Sequence, residues 1–293
     1  AVVDVGTGHE QAYAGKDVTD KIVLVTRDSA FHRSSQYQLV IDHGGAAMLY
    51  ISQSPDNLIQ IGTVADPEDG LGAIPVVTVG ADDGDALVAA LAAGQALTAS
   101  IDVQASVSPA SGRNVVGVLA GRSQDYLLFG AHYDSWHVGA ADNGTGVAAL
   151  VELAALLAQG PEREHSLVFV GYDGEELGLF GGYQYLREHV MVGGEPLLGF
   201  VNFEMPAAGP SGLRTMAHTN GGPIDPALTA ADMHALYNFY VGMELVPSFF
   251  GGIIPTDIQG LYWSGIQGAT TACDSPYYHT TEDTPAKVDL SVL

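Results

Sequence analysis

The chain has one cysteine, three lysines and no unbroken apolar run approaching the ~20 residues that a membrane-spanning helix needs. Each scarcity excludes something. With Cys273 alone, no disulfide can form within the chain, so cohesion must come from packing and hydrogen bonding. Lys16, Lys21 and Lys287 are the only lysines, and 10 Lys plus Arg face 34 Asp plus Glu, a formal net charge of -24. Phosphate binding needs a basic face, so nucleic acid is excluded as a partner. The apolar stretches are broken by Gly, Pro and charged residues, and we expect no membrane span. The chain opens without an initiator Met or a signal-like segment, which reads as a mature or trimmed form.

What is present is enough apolar material for packed cores. Hydrophobic residues make up 47% of 293 residues, a length that suits two domains. The acidic excess repels itself at low ionic strength, and salt screens that repulsion over ~8–10 Å. Scarce lysine with abundant Asp is a pattern of halophilic proteins, so we expect a salt-adapted protein; the alternative is an ordinary acidic secreted one. An extracellular or cell-envelope location is favoured over the cytoplasm of a salt-accumulating cell.

Four short motifs stand out. His132-Tyr133-Asp134-Ser135-Trp136 is followed by Ala141-Asp142-Asn143-Gly144-Thr145-Gly146. Then come Tyr172-Asp173-Gly174-Glu175-Glu176, Asn202-Phe203-Glu204-Met205, and Tyr277-Tyr278-His279-Thr280-Thr281-Glu282-Asp283-Thr284. The first three follow apolar runs without a helical stripe, 126–131, 166–170 and 199–203, which read as buried strands. A helix is expected over 147–158, ending at Gln159-Gly160-Pro161. The motifs therefore gather His and carboxylates beyond the carboxyl ends of strands, where open α/β sheets bind ligands. Imidazole and carboxylate together suit a divalent metal with an open position for water. A carboxylate outside the ligand set can carry the proton from water to a leaving amine.

These motifs resemble the di-zinc exopeptidases, the family that includes bacterial aminopeptidases and glutamate carboxypeptidases, over residues 114–288. The run from His132 to Trp136 is most similar to the plasma glutamate carboxypeptidase branch. The resemblance implies two divalent ions, zinc by preference. His132, Asp142 and Glu204 would hold one, and Asp142, Glu176 and His279 the other, with Asp142 shared. It makes Glu175 the general base and then the general acid, gives Asp134 the task of orienting His132, and has Tyr278 hydrogen-bond the oxyanion. One departure is visible: the family usually carries Asn-Leu-Asp-Met where Glu204 stands here, and Glu reaches one methylene further. Asp257 occupies a place where relatives carry an acidic residue, with a helix cap as the plain alternative. Asp134 and Asp142 could equally be helix caps, and Tyr278 a buried structural tyrosine.

The first third, with strands at 21–25, 46–51 and 74–79 and helices at 34–43 and 84–93, resembles the protease-associated domain. The expected fold is therefore α/β: a mixed, mostly parallel sheet flanked by helices, with a smaller β-rich protease-associated domain. We divide it as 1–108 and 109–293, the second part shortened at its ends relative to the family. The expected activity is that of a metal-dependent aminopeptidase acting on peptides, able to form a homo-oligomer. A carboxypeptidase or dipeptidase, a single-zinc glutaminyl cyclase and a non-catalytic receptor-like protein are the alternatives.

Overall fold

A computed structural model describes residues 1–29, 31–65, 70–207, 214–218, 244–245, 256–261, 266–273 and 275–291. They form two compact units, Ala1–Ala110 with Pro276–Thr281, and Ser111–Ser275 with Glu282–Leu293.

The first unit is built on a four-stranded sheet in the order β1 (Val2–Asp4), β2 (Ile22–Thr26), β3 (Ala47–Ile51), β4 (Val76–Val79), parallel throughout. Helix α1 (Arg33–Asp42) links β2 to β3, and α2 (Ala81–Ala92) follows β4. Side chains alternate across a strand. Val23, Val25, Met48 and Tyr50 therefore pack with Tyr37 and Val40 of α1, while Leu24, Leu49 and Ile51 meet Leu87, Val88 and Leu91 of α2. Both faces are covered, which is why Ala-Met-Leu-Tyr-Ile in β3 is apolar without alternation. Gly45 lets α1 approach the sheet: a Cβ there would lie 2.6 Å from Val40 and 2.8 Å from Val23.

Pro276–Thr281 folds with this first unit. Ile61 N donates to His279 O (3.0 Å), His279 Nδ1 donates to Ile61 O (2.9 Å), and Gln60 Nε2 donates to Tyr278 O (3.0 Å). The boundary read from sequence put everything after residue 109 in one domain. These backbone-directed bonds, made across more than 200 residues of chain, leave no local signal in the sequence.

The second unit carries a seven-stranded sheet, among the described residues, in the order β10-β9-β11-β8-β6-β7-β5. The strands are β5 (Val115–Leu119), β6 (Tyr126–His132), β7 (Ser166–Tyr172), β8 (Leu197–Phe203), β9 (Arg214–His218), β10 (Glu244–Leu245) and β11 (Gln267–Ala272). β7, β6, β8 and β11 run parallel as a central block, β5 and β9 are antiparallel to their neighbours in it, and β10 is parallel to β9. Tyr126 and Leu128 of β6 pack with Tyr172, Tyr185, Phe200 and Ile258, while Ala131 and Phe169 meet Leu150 of α3 (Thr145–Ala158). Helix α4 (Phe180–Tyr185) covers the first of these clusters and continues as helical turns through Leu186–Val192. Burying one such side chain contributes ~1.5–3 kcal/mol.

Ala140–Ala158 has the length of a membrane span and a mean hydropathy of 1.2. Asp142 and Asn143 lie outside helical φ/ψ and break that stretch, so the regular helix is the 14-residue α3, Thr145–Ala158. Val147, Leu153 and Leu157 of α3 pack beside Leu150 on the sheet.

Candidate metal centre

Parallel pairing aligns the carboxyl ends of β6, β7 and β8. Residue 132 pairs with 172, and 130 with both 170 and 202. His132 is the last residue of β6, Glu204 the first after β8, and Glu175 and Glu176 lie on the turn after β7. The irregular turn Ala140–Gly144 brings Asp142 to the same edge, with Asp142 and Asn143 outside helical φ/ψ and a cis peptide bond between them.

His132 is wholly buried. Its Nδ1 donates to the carbonyl oxygen of Asp134 at 2.9 Å, which leaves Nε2 as the lone-pair nitrogen. That nitrogen lies 3.3 Å from Asp142 Oδ1 and 3.4 Å from Glu204 Oε1. Three lone-pair atoms thus converge with no hydrogen of their own, an arrangement that only a proton or a metal cation can stabilise. Ligand atoms of His132, Asp142 and Glu176 lie within 4.8 Å of one another, as do those of His132, Glu175 and Glu204. Glu204 Oε2 and both carboxylate oxygens of Asp257 are buried without a hydrogen-bond partner among the described residues. This donor set fits divalent metal.

The electrostatics have the same cause. Burial pushes the Glu175 carboxyl well above its usual range; His132 opposes this, while Glu204, Asp257 and Glu176 add to it. Glu204 is raised by burial and by Asp142 and Glu176, against the pull of His132. Asp257 is raised well above normal by burial first. For His132, burial disfavours the imidazolium, but Glu204, Glu175 and the hydrogen bonds to Asp134 and Asp142 prevail and hold it well above 6.5. Protons here stand where a cation can.

Asp134 serves His132 mainly through its backbone carbonyl, its carboxylate being 3.7 Å from Nδ1. The carboxylate instead accepts from the backbone N–H of Glu175 (3.0 Å) and Glu176 (3.1 Å). Burial pushes the Asp134 carboxyl up, but His132 and these two N–H groups outweigh it and hold it below its usual value. Glu204 is fixed from both sides. Thr271 Oγ1 accepts from its N–H (3.0 Å) and donates to its carbonyl (3.2 Å). Asn143 donates to Phe203 O (2.8 Å) and accepts from Met205 N (3.0 Å). Asp142 does not cap α3, whose N-cap is Gly144 without a side-chain bond.

The second unit therefore collects His132, Asp134, Asp142, Glu175, Glu176 and Glu204. His279 and Tyr278 fold with the first unit, their rings stacked at 3.6 Å. Sequence reasoning gave no role to Asn143, Thr271 or Asp283, because a polar side chain that grips distant backbone has no motif of its own.

Residues 114–293 match peptidase family M28, and residues 2–87 match the PA domain. The chain belongs to peptidase family M28. This M28 chain is 25% identical to Aminopeptidase YwaD of Bacillus subtilis over 301 residues, covering 95% of this chain and 60% of that protein. It is 28% identical to the Probable lipoprotein aminopeptidase LpqL of Mycobacterium tuberculosis over 233 residues, covering 78% and 42%. The chain thus spans about half the length of these curated relatives. The solved structure of BSAP, a zinc aminopeptidase from Bacillus subtilis, shares the fold with a TM-score of 0.69 at 19% identity, over 99% of this chain and 70% of that one.

Proposed function

We propose that this M28 chain is a metal-dependent aminopeptidase that uses two divalent ions, zinc by preference. The observation that carries the reading is the convergence of His132 Nε2, Asp142 Oδ1 and Glu204 Oε1, with Glu175 and Glu176 beside them. The aminopeptidase names of the relatives support it.

His132, Asp142 and Glu204 would hold one ion. Asp142 and Glu176 would hold the other, with His279 assigned to it by motif. When bound, such ions acidify water and polarise a carbonyl oxygen. The chain's own residues do the rest. Glu175 accepts the proton of the attacking water and returns it to the departing amine, a role that its carboxylate beside the proposed ligands suits. Asp134 keeps Glu175 and Glu176 in place through their N–H groups and fixes the tautomer of His132. Tyr278 is assigned to the oxyanion by motif alone. The acidic character of the site suits a free substrate amine. A carboxypeptidase would want an Arg or Lys for the terminal carboxylate, and neither stands in the sequence motifs that carry the proposed ligands.

Cleavage of aminoacyl-nitroanilides and N-blocked peptides, with zinc and with chelator, tests the reading. Chelator-sensitive cleavage restricted to free-amine substrates is expected, and cleavage of N-blocked peptides alone would replace the aminopeptidase with a carboxypeptidase. Glu175→Gln should lower kcat by ~100-fold or more, the scale of general acid–base catalysis, while leaving bound metal unchanged. Unchanged turnover would remove Glu175 from the mechanism.

A further inference from the structure

Asp283 is a buried carboxylate, 1% exposed, that the proposed chemistry does not use. One of its oxygens accepts from Ala141 N at 2.7 Å and the other from Asp142 N at 3.0 Å. Its backbone carbonyl accepts from Ala140 N at 3.2 Å. Three consecutive peptide N–H groups, ending at Asp142, therefore terminate on one residue. The turn requires an outside acceptor: Asp142 (φ -112°, ψ 94°) and Asn143 (φ -126°, ψ 38°) are not helical, and Gly144 has no side chain with which to cap α3. Ala141 and Asp142 are themselves 1% and 3% exposed, so water is no substitute. An unmet buried donor is costly enough to make such a turn rearrange, and the side chain of Asp142 would move with it.

The same device recurs at two other ligand positions. Asp134, from the loop after β6, grips the N–H groups of Glu175 and Glu176. Asn143, from the turn before α3, grips the backbone on either side of Glu204. Each grip consists of two hydrogen bonds reaching from one loop to the backbone of another. At Asp283 the acceptor is also charged, which strengthens both bonds.

We propose that Asp283 is a positioning residue that fixes the backbone of Asp142 and so sets the affinity of the centre for divalent metal. The proposal rests on the metallopeptidase reading above. In Asp283→Asn one acceptor oxygen becomes an N–H₂ that faces a peptide N–H, so one of the two bonds is lost at nearly constant volume.

The test strips the whole chain with chelator and titrates it with zinc against a chromophoric competitor. Cobalt(II) is then bound for its visible absorption spectrum. Folded D283N, verified by near-UV circular dichroism, should bind zinc at least tenfold more weakly and show displaced cobalt bands. Thr145→Val removes a bond to Ala141 O (2.9 Å) in the same turn without touching Asp283. It should lower the melting temperature and leave the cobalt bands in place. If D283N does not fold, Asp283→Ser, which retains one acceptor, takes its place with the same readouts. Folded D283N with wild-type zinc affinity and cobalt spectrum would overturn the proposal while leaving the metallopeptidase reading intact. A wild-type chain that binds neither ion would overturn both.

Discussion

Gln36 in the first unit and His132 in the second are both wholly buried polar side chains, and their surroundings differ in kind. Gln36 Nε2 donates to Thr7 O (2.8 Å) and Thr26 O (2.9 Å), and its Oε1 accepts from Tyr50 Oη (2.9 Å). Every one of those donors meets an acceptor and the assembly is neutral, so it needs nothing from outside. Around His132, acceptors outnumber donors: Asp142, Glu176, Glu204 and Asp257 bring buried or partly buried carboxylates and few hydrogens. Buried polarity that closes on itself is architecture, whereas buried polarity with an excess of one sign requires a ligand. Gln36 sits on α1 beside the first sheet and His132 ends β6 in the second, and apolar strands build both sheets, so sheet architecture alone does not separate a scaffold from a site.

The largest test of the contrast is metal. Zinc at 100 times its dissociation constant should stabilise the folded chain by ~2.7 kcal/mol. Calorimetry with zinc and with chelator should place most of that gain on the second unit, which carries four of the five proposed ligands. An equal gain in a Gln36→Ala variant is required if the two regions are independent. That substitution should cost ~2–4 kcal/mol through the stranded Tyr50 hydroxyl and two carbonyls, with zinc affinity unchanged. Glu204→Gln should do the reverse, raising the stability of the metal-free protein by ~1 kcal/mol as one buried carboxylate disappears, and weakening zinc binding at least tenfold. If Glu204→Gln destabilised the metal-free chain, the excess of acceptors would not be the governing feature.

Salt should act on both units. A net charge of -24 makes the chain repel itself, and screening shortens the range of that repulsion from ~30 Å at 0.01 M to ~3 Å at 1 M salt. The melting temperature should rise by several degrees between these concentrations of KCl and also of NaCl. A flat profile would refute the proposed salt adaptation.

The sequence made legible whatever local chemistry determines. β2, β3, β6, β7 and β8 were readable because strands buried on both faces are apolar without interruption. The ends of α1 and α2 were marked by Gly44 and Gly94, which adopt φ of +80° and +82° where an L side chain is strained. β5 was missed because Val115, Val116 and Val118 are exposed at a sheet edge and no burial pattern marks them. β11 was missed for the opposite reason. It is an interior strand with the sequence Gln-Gly-Ala-Thr-Thr-Ala, whose Thr270 accepts a hydrogen bond from Asn202 and whose Thr271 holds Glu204. Polar residues there serve the site, not the core. The proposed ligands on strand ends stood out as motifs, but Asn143, Thr271 and Asp283 bind backbone 60 or more residues away, a pairing that only the folded chain creates.

The smallest expected effect is a difference in the sign of pH dependence. His32 in the first unit has its pKa lowered to about 4 by burial, with Arg33, Arg27 and His279 adding to the effect. The unfolded chain protonates this histidine near its ordinary 6.5, so between that value and about 4 the unfolded state binds more protons, and stability falls as pH falls. In the metal-free second unit the order is inverted. Glu175 and Glu204 have raised pKa values, and His132 stands well above 6.5. The folded state there binds more protons than the unfolded one, so stability is full below the ordinary values and falls as pH rises through the raised ones. Chemical denaturation of chelated protein, followed by a probe in each unit from pH 5 to pH 8, should give opposite slopes. His32→Asn should flatten the first slope only, and saturating zinc should act chiefly on the second, because metal displaces the protons that generate it. Parallel slopes in the two units would mean that the protons around His132 are not held by the cluster, and the contrast with Gln36 would lose its electrostatic basis.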